Sequence, residues 1–207
     1  MQTTYFNKDN LDTGYINKIL KNGGVIAFPT ETVYGLGAFI SNEQGLKKIY
    51  TLKHRSENKP LTVHIGNISQ AKLVAKDLPP AFFKLAEQFL PGPLTIIVKK
   101  QEGVSSLVSP FDTVGIRIPS HPLTLKLLKE IENPIVGTSA NESSLKSSVS
   151  AVEVLNSFEN KIDCIIDGGL CDIGLPSTIV DLTDQIKILR NGFITKDQIE
   201  NALKIKI

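Results

Sequence analysis

"VIAFPTETVYGLGA", residues 25–38, joins four apolar residues through Pro29 to a polar, glycine-rich run. The apolar part has the length and composition of a buried strand. Upstream, Leu11, Tyr15, Ile16, Ile19 and Leu20 fall on one helical stripe that Gly23 and Gly24 stop. Downstream, Ser41 and Gln44 make a capping-box start for a helix carrying Leu46, Ile49 and Tyr50, and 60–65 returns as a strand. Residues 25–65 therefore read as a strand–helix–strand unit. Helices are expected over 69–77, 80–90, 121–131, 151–158 and from 195 to about 203, and strands over 94–100, 113–119, 134–138, 163–167, 177–182 and 186–190. This interleaving predicts an α/β fold with a largely covered, mixed sheet. No internal repeat, linker or low-complexity tract interrupts it.

The 207 residues suit one domain with a real core; 41% are apolar and 21% charged, which argues against disorder. No apolar run approaches the roughly 18 to 20 residues that span a bilayer. The first residues lack the pattern of a secretion signal, so a cytoplasmic protein that does not engage a membrane is expected. Cys164 and Cys171 form no CxxC spacing, and His54, His64 and His121 are scattered, which leaves no pattern for a disulfide framework or a dedicated metal centre. Lys plus Arg number 23 against 21 Asp plus Glu, a net +2 that gives no general argument for nucleic-acid binding. Locally, residues 47–59 hold five Lys or Arg and one Glu, either a phosphate-binding patch or a solvated face.

Several residues stand in places that need explaining. Lys53 follows Leu46, Ile49 and Tyr50 by seven, four and three positions, so a continuing helix would aim it at the core, whereas a helix ending near Thr51 would leave it in water. In "TVGIRIP", 113–119, Val114, Ile116 and Ile118 share one face and Thr113, Gly115 and Arg117 the other; if that second face is covered, the guanidinium requires a carboxylate or phosphate. Ser139 and Asn141 lie in a small-residue loop after an apolar strand, where α/β proteins bind ligands and where ordinary Ser/Asn turns also occur. Ser177 and Thr178 either bind a ligand or simply begin a strand. His64 suits an interior position as well as a catalytic one, and Thr30, Thr32 and Tyr34 suit turn and packing roles. No GxxxxGK[ST], GxGxxG or GxSxG motif occurs.

Taken in order, the segments resemble the YrdC/TsaC family, the threonylcarbamoyl-adenylate synthases. "GGVIAFPTETVYGLGA" is similar to the family's opening strand and loop. "KHR" at 53–55 stands for its Lys-x-Arg element, and "PLTVH", "PGPLTIIV", "VGIRIPSHP", "TSAN", "GLPSTIVD" and "ILRNG" follow in the family's order, covering about 23–194. Three positions depart from the pattern. Ser56 and Asn191 replace prolines, which alters loop stiffness, and Ser144 replaces a glycine, which narrows the conformations of the Asn141 loop.

The resemblance implies a single YrdC-like domain over 1–207, a twisted mixed parallel/antiparallel sheet flanked by helices with a concave electropositive groove. It implies condensation of L-threonine, bicarbonate or CO2 and ATP to threonylcarbamoyl-adenylate and pyrophosphate, with Mg²⁺ travelling with ATP, as the first step of threonylcarbamoyladenosine formation in tRNA. Lys53 and Arg55 would hold the phosphates, Ser139 and Asn141 would fix the adenylate side, and Arg190 would close on the nucleotide. Thr30, His64, Thr113, Arg117, Ser177 and Thr178 would position threonine, Arg117 pairing with its carboxylate. On this view the chain turns polar after Phe28 because the strand end joins the substrate floor, and Glu31 and Tyr34 are structural. Further partners would be tRNA and the proteins that transfer the product to it. Two other readings are an RNA-binding module using the 47–59 patch without chemistry, and a carbamoyl-transfer domain like that of the longer hydrogenase-maturation proteins.

Overall fold

The polar run after Phe28 is a short loop between two antiparallel strands, β2 (Ile26–Phe28) and β3 (Gly35–Phe39). The computed structural model describes residues 2–142 and 145–207, so Ser144 and its effect on the neighbouring loop lie outside the described residues. The other strands are β1 (Thr4–Phe6), β4 (Thr62–His64), β5 (Leu94–Lys99), β6 (Thr113–Arg117), β7 (Ile135–Ser139), β8 (Cys164–Ile166), β9 (Thr178–Asp181) and β10 (Lys187–Arg190). Among the described residues they form one sheet in the order β1-β8-β2-β3-β7-β4-β6-β5-β9-β10. Pairs β1–β8, β2–β8, β4–β6 and β5–β9 are parallel and the rest antiparallel, as the mixed-sheet expectation requires. The helices are α1 (Thr13–Lys21), α2 (Glu43–Leu52), α3 (Pro80–Phe89), α4 (Pro122–Glu130), α5 (Ala151–Phe158) and α6 (Lys196–Leu203).

The differences from expectation have local causes. β1 and β3 were not anticipated; β3 reads GLGAF, and its two glycines hide it from propensity, since they weaken a strand unless something packs there. What packs there is the Phe28 ring, which a side chain at Gly35 or Gly37 would meet at 2.7 and 2.8 Å. The strands β2 and β4 are not neighbours, because β3 and β7 lie between them, so 25–65 is not a simple strand–helix–strand unit. Asn42 rather than Ser41 caps α2, its side chain accepting the Gly45 N–H. Residues Ile68–Leu73 form a 3₁₀ helix where an α-helix over 69–77 was expected.

Alternation along β2 separates two cores. Ile26 and Phe28 point to one face, where they meet Phe39, Ile135 and residues of α1 and α4, while Ala27 points to the other, larger core. The smaller core reaches only as far across the sheet as Ile135 on β7. Beyond it, the residues of the same face on β4, β6, β5 and β9 include Thr62, His64, Gly115, Arg117, Thr95, Ile97 and Ile179, and none belongs to either apolar cluster. A stretch of sheet thus lacks an apolar layer over it. Among the described residues, no helix is long and apolar enough to cross a membrane.

Two substitutions test this framework. Phe28→Ala empties the seat over Gly35 and Gly37 and is expected to cost about 3–5 kcal/mol in chemical denaturation. Asn42→Ala removes the α2 cap, worth about 1 kcal/mol, and is expected to lower the thermal midpoint by about 2–4 °C.

Candidate active site

Over the uncovered stretch lies a cavity of about 460 Å³. Its floor follows from strand register. His64 pairs with Arg117, Thr62 with Gly115 and Gly137, and Thr95 with Ile179, so most side chains that point up are hydroxylated or polar, Ile179 being the apolar exception, and the two glycines leave room for the side chains beside them. His64, Thr95 and Arg117 are buried in this floor.

Arg117 is the charge that the floor must accommodate. Its Nη2 donates to Glu31 Oε1 and to Thr32 Oγ1, each at 2.8 Å, and its Nε to the Gly92 carbonyl at 3.3 Å. The second oxygen of Glu31 accepts the Ser120 N–H at 3.0 Å, just before α4, and the Glu31 carbonyl accepts the Ile173 N–H. Glu31, through its carboxylate and its backbone carbonyl, thereby joins the 29–34 loop, the end of β6, the start of α4 and the 169–175 segment. Nη1 of Arg117 has no partner among the described residues. Proton accounting also settles the loop: Thr30 donates its single proton to the Val33 carbonyl at 2.6 Å, so Thr32, which accepts from Arg117, donates to Thr30 Oγ1. The expected countercharge of Arg117 is therefore present within the protein as Glu31, and the Thr30 hydroxyl, expected to contact substrate, is committed to its own loop although Thr30 lines the cavity.

His64 is held neutral. Burial, and next the neighbouring Arg117 charge, push its pKa down to about 3, with the Thr62 carbonyl opposing. That carbonyl, 3.3 Å from Nδ1, can only accept, so Nδ1 carries the proton and Nε2 is a bare acceptor.

The rim is cationic. Arg55 and Lys59 approach from the segment before β4, and Arg190 from the end of β10. Arg55 is fixed by the carbonyls of Lys59 and Pro60, and Arg190 by the Ser177 carbonyl at 2.9 Å and hydroxyl at 3.0 Å. Burial lowers the pKa of both guanidiniums, and for Arg190 the Arg117 charge adds to it. No acidic side chain lines the cavity among the described residues.

Of the eleven residues singled out from sequence, Thr30, Arg55, His64, Arg117, Ser139, Ser177 and Arg190 line this one cavity, and four do not. Lys53 follows the helical stripe inward and is 1% exposed; its ammonium donates to the carbonyls of Ser139 and Asn141, so it fastens the end of β7 instead of facing the cavity. Burial, then Arg55, bring its pKa down to about 8. Asn141 is buried, its Nδ2 closing the loop through the Glu142 and Leu145 carbonyls while Oδ1 has no partner. Thr178 points to the opposite face from Ile179 and donates to the Ile194 carbonyl. Thr113 shares Arg117's face but lies four residues, roughly 13 Å, along the strand, and lines a different hollow with Lys99 and Asp184. The basic run 47–59 is dispersed too, with Lys47 against Glu43, Lys48 against Asp163, and Lys53 inside.

Sequence reasoning did not single out Thr62, Thr95, Lys59 or Ser147 as lining residues. Alternation with His64 marked Thr62; Thr95 depended on the β5–β9 register, for which the chain carries no local sign.

Residues 18–192 match the Sua5/YciO/YrdC family, described as "Telomere recombination". The chain is 42% identical to a threonylcarbamoyl-AMP synthase of Pyrococcus abyssi over 89% of its own length and 55% of that protein's. It is 36% identical to a putative threonylcarbamoyl-AMP synthase of Methanocaldococcus jannaschii, over 87% and 85% of the two lengths. Among solved structures it resembles P. abyssi Sua5 complexed with L-threonine (TM-score 0.92, 37% identity, 100% of this chain and 62% of that one) and E. coli YciO (0.80, 28%, 93% and 96%). The chain thus spans little more than half the length of the first of these curated relatives.

Two measurements probe the floor. Glu31→Ala leaves a buried guanidinium unpaired and is expected to cost about 3–5 kcal/mol in urea denaturation. Joint replacement of Glu31 and Arg117 by methionine should cost much less than the two single changes summed, and strict additivity would refute the pairing. Because folding depresses the His64 pKa, the unfolded chain binds the extra proton between pH 6.5 and about 3. The stability tied to neutral His64 is present above pH 6.5 and is lost as the pH falls through that window, so His64→Gln should flatten the stability curve there; parallel curves for the two proteins would contradict it.

Proposed function

This chain belongs to the Sua5/YciO/YrdC family, and from that premise we propose that it condenses L-threonine, bicarbonate or CO2, and ATP to threonylcarbamoyl-adenylate and pyrophosphate. The observation that carries the reading is the cavity's division between a charge-compensated floor and a cationic rim. An amino-acid zwitterion has no net charge and suits a floor where Arg117 is offset by Glu31 and His64 is neutral. Nη1 of Arg117 is available to its carboxylate, while the floor hydroxyls and the bare Nε2 of His64 suit its hydroxyl and nitrogen. A triphosphate requires cations, and Arg55, Lys59 and Arg190 stand at the rim without a facing carboxylate.

In this reading the threonine ammonium first gives up a proton, and its nitrogen then bonds to the carbon of CO2 with loss of a second proton, or to that of bicarbonate with loss of water, leaving the carbamate. A carbamate oxygen then attacks the α-phosphorus, the bond to the bridging oxygen of the β-phosphate breaks, and pyrophosphate leaves. The rim cations offset repulsion between the two anions, and the floor fixes the line of attack. Among the described residues no three His, Cys, Asp or Glu side chains converge, so Mg²⁺ would be held by the phosphate oxygens and would supply charge neutralisation there. Ser139 lies on the wall, and Lys53 and Asn141 act from behind it by shaping the loop that carries the adenylate side. The product would be consumed in the cytoplasm by proteins that transfer its threonylcarbamoyl group to adenosine in tRNA. The RNA-binding reading is weakened, because Lys47, Lys48 and Lys53 of the 47–59 run are engaged away from the cavity.

The test is pyrophosphate release in the presence of ATP. It should require both threonine and bicarbonate, and release that continues without either would overturn the reading. Arg55→Ala and Arg190→Ala each remove a charge-assisted hydrogen bond worth about 1.5–3 kcal/mol, which is expected to raise the KM for ATP by about 10- to 100-fold.

A further inference from the structure

Gly137, on β7 beneath His64, has a backbone that does not demand glycine, since its φ is not among the positive values of the chain. The space above it does. A Cβ added there would stand 2.2 Å from His64 Cε1, 2.4 Å from Nδ1 and 3.1 Å from Nε2. The Cε1 edge of the imidazole fills the place of the missing side chain.

The ring is held in this seat from below and from one flank. β4 is hydrogen-bonded on both sides, to β6 and β7, which fixes the Cα of His64. On one flank the Phe28 ring meets the imidazole edge-on, at 5.5 Å between centroids and 74° between planes. Phe28 is itself pressed onto Gly35 and Gly37, and Gly37 pairs directly with Gly137. Three glycines on two adjacent strands therefore seat two aromatic rings in contact. Only the His64 ring reaches the cavity, and Nε2 is its atom without a partner among the described residues.

We propose that Gly137 is a positioning residue for the amino-acid part of the site. Its bare backbone seats the His64 imidazole at the depth where Nε2 meets an O–H or N–H of the ligand. This rests on the reading of the floor as the amino-acid subsite, and it adds a residue that lines the cavity with backbone only and acts through the ring it seats. A methyl group at 137 moves the ring by about 1 Å, a displacement that at a positioning contact costs up to about 100-fold.

The experiment compares the parent with Gly137→Ala, His64→Ala and the double variant, read by steady-state pyrophosphate release and by long-range proton–nitrogen NMR of the histidine rings. Gly137→Ala is expected to raise the threonine KM by about 10- to 100-fold with the ATP KM unchanged. It should also shift the His64 ring signals while those of His54 and His121 stay in place. In the His64→Ala background the added methyl enters vacated space, so it should cause no further loss. Equal losses in both backgrounds, or unmoved His64 signals, would overturn the proposal. If Gly137→Ala does not fold, the double variant must fold as His64→Ala does; its failure would show that the strand and not the ring needs the glycine. If even the parent releases no pyrophosphate, the functional reading falls, and the NMR comparison still decides whether Gly137 seats His64.

Discussion

Arg117 lies in the floor of the cavity with its guanidinium almost out of water, and an unpaired charge there would cost several kcal/mol. Glu31 prevents this by a single short contact, and because its second oxygen and its backbone carbonyl accept from Ser120 and Ile173, the same residue also ties down two further segments. The loop after Phe28 is therefore shaped by the charge it neutralises. The same contact leaves the floor without net charge, so the cations at the rim meet an anionic ligand without competition from a carboxylate on the wall.

Room for a ligand arises from what the sheet omits. On the face covered by α1 and α4, the apolar layer stops at β7, and the next strands present Thr62, Gly115, Thr95 and His64 where leucines or valines would continue a core. Glycines at 35, 37 and 137 let Phe28 and His64 lie close against the strands, which keeps the edge of the core and the edge of the cavity in contact. Packing and site share one boundary, and a change in volume on one side is felt on the other.

Lys53 shows how a motif residue acts at one remove. Its position on the helical stripe sends it into the protein, where the carbonyls of Ser139 and Asn141 take the place of water around its ammonium. The loop that would carry the nucleotide's adenylate side is thus fastened by a cation that is not among the residues lining the cavity.

Local sequence was enough to determine most elements, because apolar periodicity, helix caps and turn residues are properties of short windows: α5 agrees with expectation, as do the cap of α6 at Thr195 and the alternation of β6. The ordered motifs likewise identified the family, and alternation alone put Arg117 on the face opposite Val114 and Ile116. The tertiary structure decided which strands neighbour each other, and with that which side chains share the floor. Thr95 entered the site and Thr178 left it through the β5–β9 register, Thr113 fell to the far end of the same strand, and Arg117 received Glu31 from 86 residues away. Such outcomes depend on pairing between distant segments, whose free energy comes from surfaces that exist only after the chain has folded.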